Sequence, residues 1–153
     1  MSSSLNIKQN LYNACFQFIE NRLLMVQNSI KEIQESLNSE TKSSAGDKHE
    51  TGRAMLQLER EKAGNQLAEI EKTKQLLSKV NSDTISKTVG LGSVVYTTKA
   101  NYFIAISAGE LKVDNENFYA ISANTPIGQL LIGRTLESEI VFREQKFVIT
   151  KIL

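Results

Sequence analysis

The sequence predicts an α+β protein, in which an antiparallel coiled-coil hairpin of two helices over residues 1–81 precedes a small antiparallel sheet domain with one short helix over residues 93–153. Two observations predict this division. Apolar residues recur every three or four positions in the first half, whereas the second half consists of short runs rich in β-branched and aromatic residues. The polar segment "SDTISKTVGLG", residues 82–92, is predicted to link the two halves.

The hairpin is predicted from two apolar stripes. The first stripe contains neither proline nor glycine, and its second half alternates steps of four and three, the spacing of a coiled-coil seam. The second stripe is narrower and recurs mainly every seven residues. A helix of ~30 residues is ~45 Å long, so two such helices with a short connection are expected to fold back on each other. The stripes are Leu11, Cys15, Ile19, Leu23, Val26, Ile30, Ile33 and Leu37, and Leu56, Ala63, Leu67, Ile70 and Leu77.

The sheet domain is predicted to contain about five strands, "SVVYTT", "NYFIAIS", "NFYAIS", "EIVF" and "KFVITKIL", separated by turn signals such as "AGE" and "VDNEN". Between them, "TPIGQLLIG" predicts a short helix. Thr125 is suited to cap this helix, Pro126 to occupy its first position, and Gly133 to end it.

Composition narrows the class of protein. Basic and acidic residues number 18 and 17, and neither half is a polyelectrolyte, so tight electrostatic binding to nucleic acid is not indicated. The single cysteine, Cys15, suits a reducing compartment. The first residues lack the pattern of a signal peptide, and no window approaches the ~18 continuous apolar residues of a membrane span. A cytoplasmic protein that does not bind membranes is therefore expected.

The break between the helices, "ETKSSAGDKHETGRA", presents Asp47 and Glu50 three positions apart. This spacing is that of a variant capping box, in which both carboxylates stabilise the start of a helix. The same pair can also face one magnesium ion, which is usually held by one or two carboxylates together with phosphates. The spacing alone favours capping. Lys48 and His49 add positive or titratable charge beside the acids, while Arg53 and Arg60 are expected on a solvated helix face.

Three stretches of the C-terminal half, "VGLGSVVYTT", "ISANTPIGQLLIGRTLESEIVF" and "FVITKIL", resemble the bacterial Gre family (GreA/GreB-like) of transcript cleavage factors, which act on RNA polymerase. "VGLGSVVYTT" is similar to the opening strand of the family, and "ISANTPIGQLLIGRTLESEIVF" to its most specific signature, from which Thr125, Leu130 and Ser138 depart. The closing "FVITKIL" is similar to its last strand. At the break, "GDKHETGRA" matches the family's tip motif at Gly46, Asp47 and Glu50 only.

The resemblance implies a function. In this family an FKBP-like sheet domain docks at the rim of the secondary channel of RNA polymerase, and the hairpin enters the channel. By resemblance, the tip lies at residues 39–53, and Asp47 and Glu50 assist a magnesium ion shared with the polymerase, so that the polymerase hydrolyses backtracked nascent RNA. The chain is then a monomer and not itself an enzyme. The implied docking residues are Pro126, Ile127, Gly128, Gly133 and Arg134.

The sequence also bears on four other interpretations. The nearly charge-balanced tip favours, as a close alternative, a channel-binding regulator or inhibitor without cleavage activity. A coiled-coil adaptor that dimerises through its seam is a further alternative. A peptidyl-prolyl isomerase is disfavoured because the chain has no tryptophan for the floor of an aromatic pocket. A thiol enzyme is strongly disfavoured because Cys15 and His49 lie at opposite ends of the first helix, ~50 Å apart.

Overall fold

The computed structural model describes residues 2–42 and 47–153, and the side chains of 4–39 and 50–153. The chain divides into two compact units. One consists of Met1–Phe18 together with Gln75–Leu153, and the other of Ile19–Lys74.

Two long helices form the first half of the chain, as predicted. Helix α1 spans Ser2–Lys42 and helix α2 spans Asp47–Ser78. The predicted stripes are their buried sides, since Leu11, Cys15 and Ile70 are among the buried core residues and the remaining stripe residues are buried or half-buried. Leu24 and Met25, which lie off the stripe, are 58% and 70% exposed. The helical period thus predicts which side of each helix packs.

Within the unit Ile19–Lys74, two contacts show that the helices run antiparallel. Lys74 Nζ lies 2.9 Å from Glu20 Oε1, and the Arg53 guanidinium donates to the Leu37 carbonyl oxygen at 3.2 Å. Position 20 of α1 contacts position 74 of α2, whereas the later position 37 contacts the earlier position 53. At 1.5 Å per residue, these contacts are ~26 Å apart along α1. The unit is therefore a slender pair of helices whose connection follows the Leu37 end.

In the other unit, the segment predicted as a linker, residues 82–92, is held at several places. Lys8 and Gln9 of α1 bond to residues 82–84, and Val89 is buried and hydrogen-bonded to the 133–134 backbone. The position of the domain boundary, at 81 or 92, stays a prediction.

The sheet domain confirms the predicted α+β class. It has six strands, all within the described range 94–152, in the order β3-β4-β2-β1-β6-β5. Helix α3, Pro126–Leu131, lies between β4 and β5 in the chain. The strands are β1 Val94–Thr97, β2 Asn101–Ile104, β3 Gly109–Val113, β4 Glu116–Ile121, β5 Glu139–Phe142 and β6 Gln145–Ile152.

Two details of the sheet differ from the prediction. The sequence did not predict strand β3, which begins within the turn signal "AGE" and ends at the start of "VDNEN". It is an edge strand with no buried residue, and it carries the charged side chains of Glu110 and Lys112, as edge strands commonly do. The sheet is also mixed, since β2 and β4 run parallel with Tyr102 opposite Tyr119. The chain passes from β2 to the edge at β3 and returns as β4 into the place beside β2, an order that an apolar pattern does not encode.

The core of this domain lies on the face of the sheet that α3 covers. Ile127 and Leu131 of α3 pack in one cluster with buried residues of the sheet and with Val89. The opposite face is buried as well, because Val94, Phe103 and Phe118 have no exposed surface. The other members of the α3 cluster are Val95, Ile104, Ile140, Phe147 and Ile149.

None of the helices in the described part of the chain is both long and apolar enough to cross a membrane.

Candidate functional site

The candidate site lies at the start of α2, where the sequence places its acidic pair. The helix begins at Asp47, so Asp47 and Glu50 both belong to its first turn, three positions apart in the chain. The Glu50 side chain is exposed. The connection 43–46 and the side chains of Asp47, Lys48 and His49 lie outside the described residues. The capping and metal-binding roles of the pair therefore both stay predictions.

Arg53, one turn after Glu50, differs from its expected position on a solvated face. It is half-buried, and its guanidinium donates to the Leu37 carbonyl oxygen at 3.2 Å. The side chain crosses from α2 to α1 and connects the two helices close to the candidate site. Arg60 is half-buried too, and its Nη1 atom lies 3.1 Å from where a Cβ on Gly64 would be. Both arginines continue the alternating spacing of three and four in the second stripe, and this spacing is the signal that could have located them.

The described side chains contribute one carboxylate, that of Glu50, to the acidic pair. Among the described side chains, no group of three or more His, Cys, Asp or Glu residues is placed to hold a metal. Glu50 supplies an exposed carboxylate at a helix start, which suits the one or two protein carboxylates that accompany phosphates and waters around magnesium. The Glu50 carboxylate at this end of α2 is therefore accessible to a second molecule.

The second candidate surface is the turn before α3, and its local structure follows the prediction. Thr125 is the N-cap, with Oγ1 accepting from the Gly128 amide at 3.1 Å and donating to the Ser122 carbonyl oxygen at 2.8 Å. Pro126 occupies the start of the helix. Gly133 follows the end of α3 with a φ of +82°, the left-handed conformation that glycine adopts without strain.

The five predicted docking residues separate into two groups. Pro126, Gly133 and Arg134 are exposed and accessible to a partner. Ile127 and Gly128 are buried, and Ile127 belongs to the core cluster. A Cβ on Gly128 would lie 2.4 Å from the Ser122 carbonyl oxygen. The geometry therefore gives Ile127 and Gly128 a structural role that fixes the turn. The role of the other three in docking stays a prediction.

Sequence reasoning did not identify the cavity beside this turn. It has a volume of about 190 Å³, and Ser122 Oγ at its edge donates to Asn124 Oδ1 at 2.6 Å. No signal in the sequence marks it, because its lining comes from four separate stretches of the chain. The lining contains no aromatic residue, unlike the pocket that a peptidyl-prolyl isomerase is expected to have. It consists of Leu76, Leu91, Ala105, Ser122, Ala123 and Asn124.

Cys15 is placed as a packing residue. It is fully buried in α1, and burial raises the pKa of its thiol to about 12. A thiol with this pKa is almost entirely protonated near neutral pH, whereas a nucleophilic cysteine needs its thiolate. The burial of Cys15 therefore disfavours a role for its thiol as a nucleophile.

Comparison with known proteins found likenesses only among solved structures. No family model matches the chain, and no curated protein matches it. The crystal structure of GreA factor homolog 1 (Gfh1) of Thermus thermophilus is 17% identical with a TM-score of 0.37, covering 90% of this chain and 94% of that one. A structure of the transcription factor Gfh1 is 19% identical with a TM-score of 0.34, covering 92% of each chain. At these values the likeness assigns no role to any residue of this protein.

Proposed function

We propose that this protein binds RNA polymerase, inserts the paired helices into the secondary channel, and promotes hydrolysis of backtracked RNA by the polymerase. The observation that carries the proposal is the start of α2 at Asp47, which puts Asp47 and Glu50 in one helical turn with the Glu50 carboxylate exposed. This turn bears the acidic pair to which the resemblance to the Gre family gives the role of assisting the metal ion.

The helical unit has a shape suited to a narrow channel. Two α-helices side by side are ~20 Å wide. The ion pair between Lys74 and Glu20 and the bond from Arg53 to Leu37 hold the helices together near both ends of the unit. The second contact lies within one turn of Glu50, so the acidic turn is supported where it would meet a partner. Fixing both helices reduces the conformational entropy that insertion would cost.

The proposed chemistry divides between the two proteins. When bound at the polymerase active centre, magnesium activates a water for attack on the RNA phosphodiester. Glu50, and Asp47 with it, would contribute carboxylate oxygens to that ion without forming a complete site of their own. The exposed position of Glu50 allows this. The chain is then an assisting factor and not an enzyme, acting as a monomer in the cytoplasm beside the nascent RNA 3′ end.

The sheet domain is assigned the docking role. The exposed residues Pro126, Gly133 and Arg134 lie at the two ends of α3. The capped turn around Thr125 and the tight packing of Gly128 hold this surface in one conformation, which favours binding because little has to be ordered on association.

Cleavage in stalled, backtracked elongation complexes of the cognate polymerase tests the proposal. The variant Asp47→Asn with Glu50→Gln keeps groups that can cap a helix but removes both charges. We expect it to lose stimulated cleavage by at least about 100-fold, since a metal-held charge contributes several kcal/mol to the transition state. Glu61→Gln removes an exposed carboxylate from the same helix and should retain cleavage. Equal activity of the charge-free variant and the wild type would refute the metal role.

The second candidate is a channel-binding regulator without cleavage activity. Lys48 and His49, between the two acids in the sequence, favour it because positive charge weakens the attraction of the pair for a cation. Wild-type protein that binds the polymerase but stimulates no cleavage would establish this candidate. Molecular mass in solution tests the coiled-coil adaptor, which requires a stable dimer.

A further inference from the structure

The segment Asn81–Gly92, which we call the strap, runs from the end of α2 to the start of β1. Lys8 of α1 contacts it from a buried position. The Lys8 side chain is 2% exposed, and Nζ donates to the Thr84 carbonyl oxygen. Lysine is almost never fully buried unless its amine is paired, because removal of the charge from water is costly. A buried lysine whose amine bonds to the strap backbone therefore points to a specific positioning role.

Gln9, the next residue on α1, holds the same part of the strap. Its Nε2 atom donates to Asp83 Oδ1 at 2.9 Å and lies 3.2 Å from Ser82 Oγ. Together, Lys8 and Gln9 bond to three consecutive residues of the strap through one backbone and two side-chain acceptors. Burial lowers the pKa of the Lys8 amine, which is the cost that this contact has to offset.

The two ends of the strap touch each other. A Cβ on Gly92 would lie 2.6 Å from the Asn81 carbonyl oxygen and 3.2 Å from the Asn81 amide nitrogen. Gly92 also has a φ of +93°, a conformation that other residues rarely adopt. A segment whose ends meet and whose middle is packed is a closed loop and not a spacer.

The far part of the strap is fixed to the sheet domain. Val89 is 2% exposed and belongs to the core cluster under α3. Its amide donates to the Arg134 carbonyl oxygen at 2.9 Å, and its own carbonyl accepts from the Gly133 amide at 2.9 Å. This reciprocal pair joins the strap to the turn that follows α3.

We propose that the strap is a locked closed loop that joins the N-terminal turns of α1 to the sheet domain, and that Lys8 is the residue that locks it. The lock has three parts, namely the Lys8 and Gln9 contacts at 82–84, the closure at Asn81 and Gly92, and the Val89 pair. The strap therefore fixes the N-terminal turns of α1 against the sheet domain and does not act as a flexible linker. This inference does not depend on the proposed function.

Native-state proteolysis tests the lock, because Lys87 is an exposed trypsin site within the strap. Trypsin cleaves only when the segment opens locally, so the rate of cleavage after Lys87 reports the population of the open strap. Lys8→Met keeps the apolar stem and removes the amine. We expect cleavage after Lys87 to accelerate by about 10- to 100-fold, as for the loss of a hydrogen bond from a charged donor. Lys31→Met, at an exposed lysine of the same helix, should leave the rate unchanged, and Lys8→Arg should restore most of the protection.

A second pair of variants tests the closure independently of Lys8. Gly92→Ala forces the Asn81 backbone to move, whereas Gly90→Ala meets no atom within 4 Å. We expect faster cleavage after Lys87 for Gly92→Ala and the wild-type rate for Gly90→Ala. This pair also keeps the test available if Lys8→Met does not fold.

Hydrogen exchange separates local opening from general loss of stability. The amides of Val94 and Leu153, which bond to each other's carbonyl oxygens between β1 and the C-terminus, should exchange at nearly the wild-type rate in Lys8→Met. Acceleration of these amides by the same factor as cleavage would overturn the local lock. The proposal also fails if the wild-type strap is cleaved as fast as a free peptide of residues 81–92, or if neither Lys8→Met nor Gly92→Ala changes the rate.

Discussion

Gly128 is the position where a single methyl group should have the largest effect on the sheet domain. It is buried in α3, and the added Cβ would lie 2.4 Å from the Ser122 carbonyl oxygen, 2.8 Å from Thr125 Oγ1 and 3.0 Å from the Ala123 carbonyl oxygen. Two of these three atoms belong to the backbone, and the third is the N-cap hydroxyl. Gly128→Ala therefore requires the capped turn to move.

The expected change in the free energy of unfolding follows from opposing terms. Alanine favours a helix over glycine by ~1 kcal/mol. Overpacking of a well-packed site costs ~1 to 3 kcal/mol, and disruption of the Thr125 cap about 1 kcal/mol more. The net expectation is a loss of roughly 2 kcal/mol, so the packing terms outweigh the helix preference.

Urea unfolding followed by tyrosine fluorescence measures this loss. All four tyrosines, at positions 12, 96, 102 and 119, lie in the unit that contains the sheet domain. With a slope of ~2 kcal/mol/M, the midpoint should fall by about 1 M. Gly64→Ala is the matched control, because its Cβ meets only the end of the flexible Arg60 side chain. It should stabilise α2 by up to ~1 kcal/mol, as measured by circular dichroism. A Gly128→Ala protein as stable as the wild type would refute the packing argument.

Two further predictions concern stability. Thr125→Ala removes the hydroxyl that accepts from the Gly128 amide and donates to the Ser122 carbonyl oxygen. It should lower the free energy of unfolding by about 1 kcal/mol in the same urea assay, whereas Thr125→Ser should lower it by less than about 0.5 kcal/mol. Equal losses for the two variants would contradict the capping role. Burial raises the pKa of the Cys15 thiol from 9.0 to about 12, so above pH 9 the unfolded chain releases this proton before the folded chain does. Stability present below pH 9 should therefore fall by up to ~1.4 kcal/mol per pH unit between pH 9 and 12, and a Cys15→Ala variant that falls as steeply over this range would contradict the assignment.

The helical half was predictable because burial there follows a simple period. Leu11, Cys15 and Ile70 all lie on the sides that their spacing predicts. Lys8 and Arg53 each continue the spacing of a stripe, three positions before its first apolar residue. The spacing alone does not reveal which group a long charged side chain contacts there. Their contacts with Leu37 and Thr84 depend on tertiary structure, which no local pattern encodes.

The sheet half was predictable where strands are buried and not where they are exposed. Strand β3 has no buried residue, and the parallel pairing of β2 with β4 depends on strand order. The turn signals at Thr125, Pro126 and Gly133 were correct because each reflects a local backbone requirement.

For the candidate site, the start of α2 at Asp47 agrees with the helix expected after the break. The sequence could not separate structural from exposed residues within the α3 signature. Ile127 and Gly128 are buried, while Pro126 and Arg134 are exposed. A sequence motif therefore contains residues that pack in the core together with residues that are exposed to a partner. Only the burial of each side chain separates the two kinds.

Insertion of the helical pair into the polymerase is the central claim, and a tethered cleavage probe tests it most directly. Cys15 is the sole cysteine and is buried, so a chelated iron reagent can be attached selectively to Glu50→Cys. Glu71→Cys, also exposed on α2, lies ~32 Å away along the helix and serves as the matched probe. We predict that the probe at 50 cleaves the polymerase chain next to its catalytic magnesium, and that the probe at 71 cleaves only toward the channel entrance. Cleavage by both probes at the outer surface, or by neither, would contradict insertion.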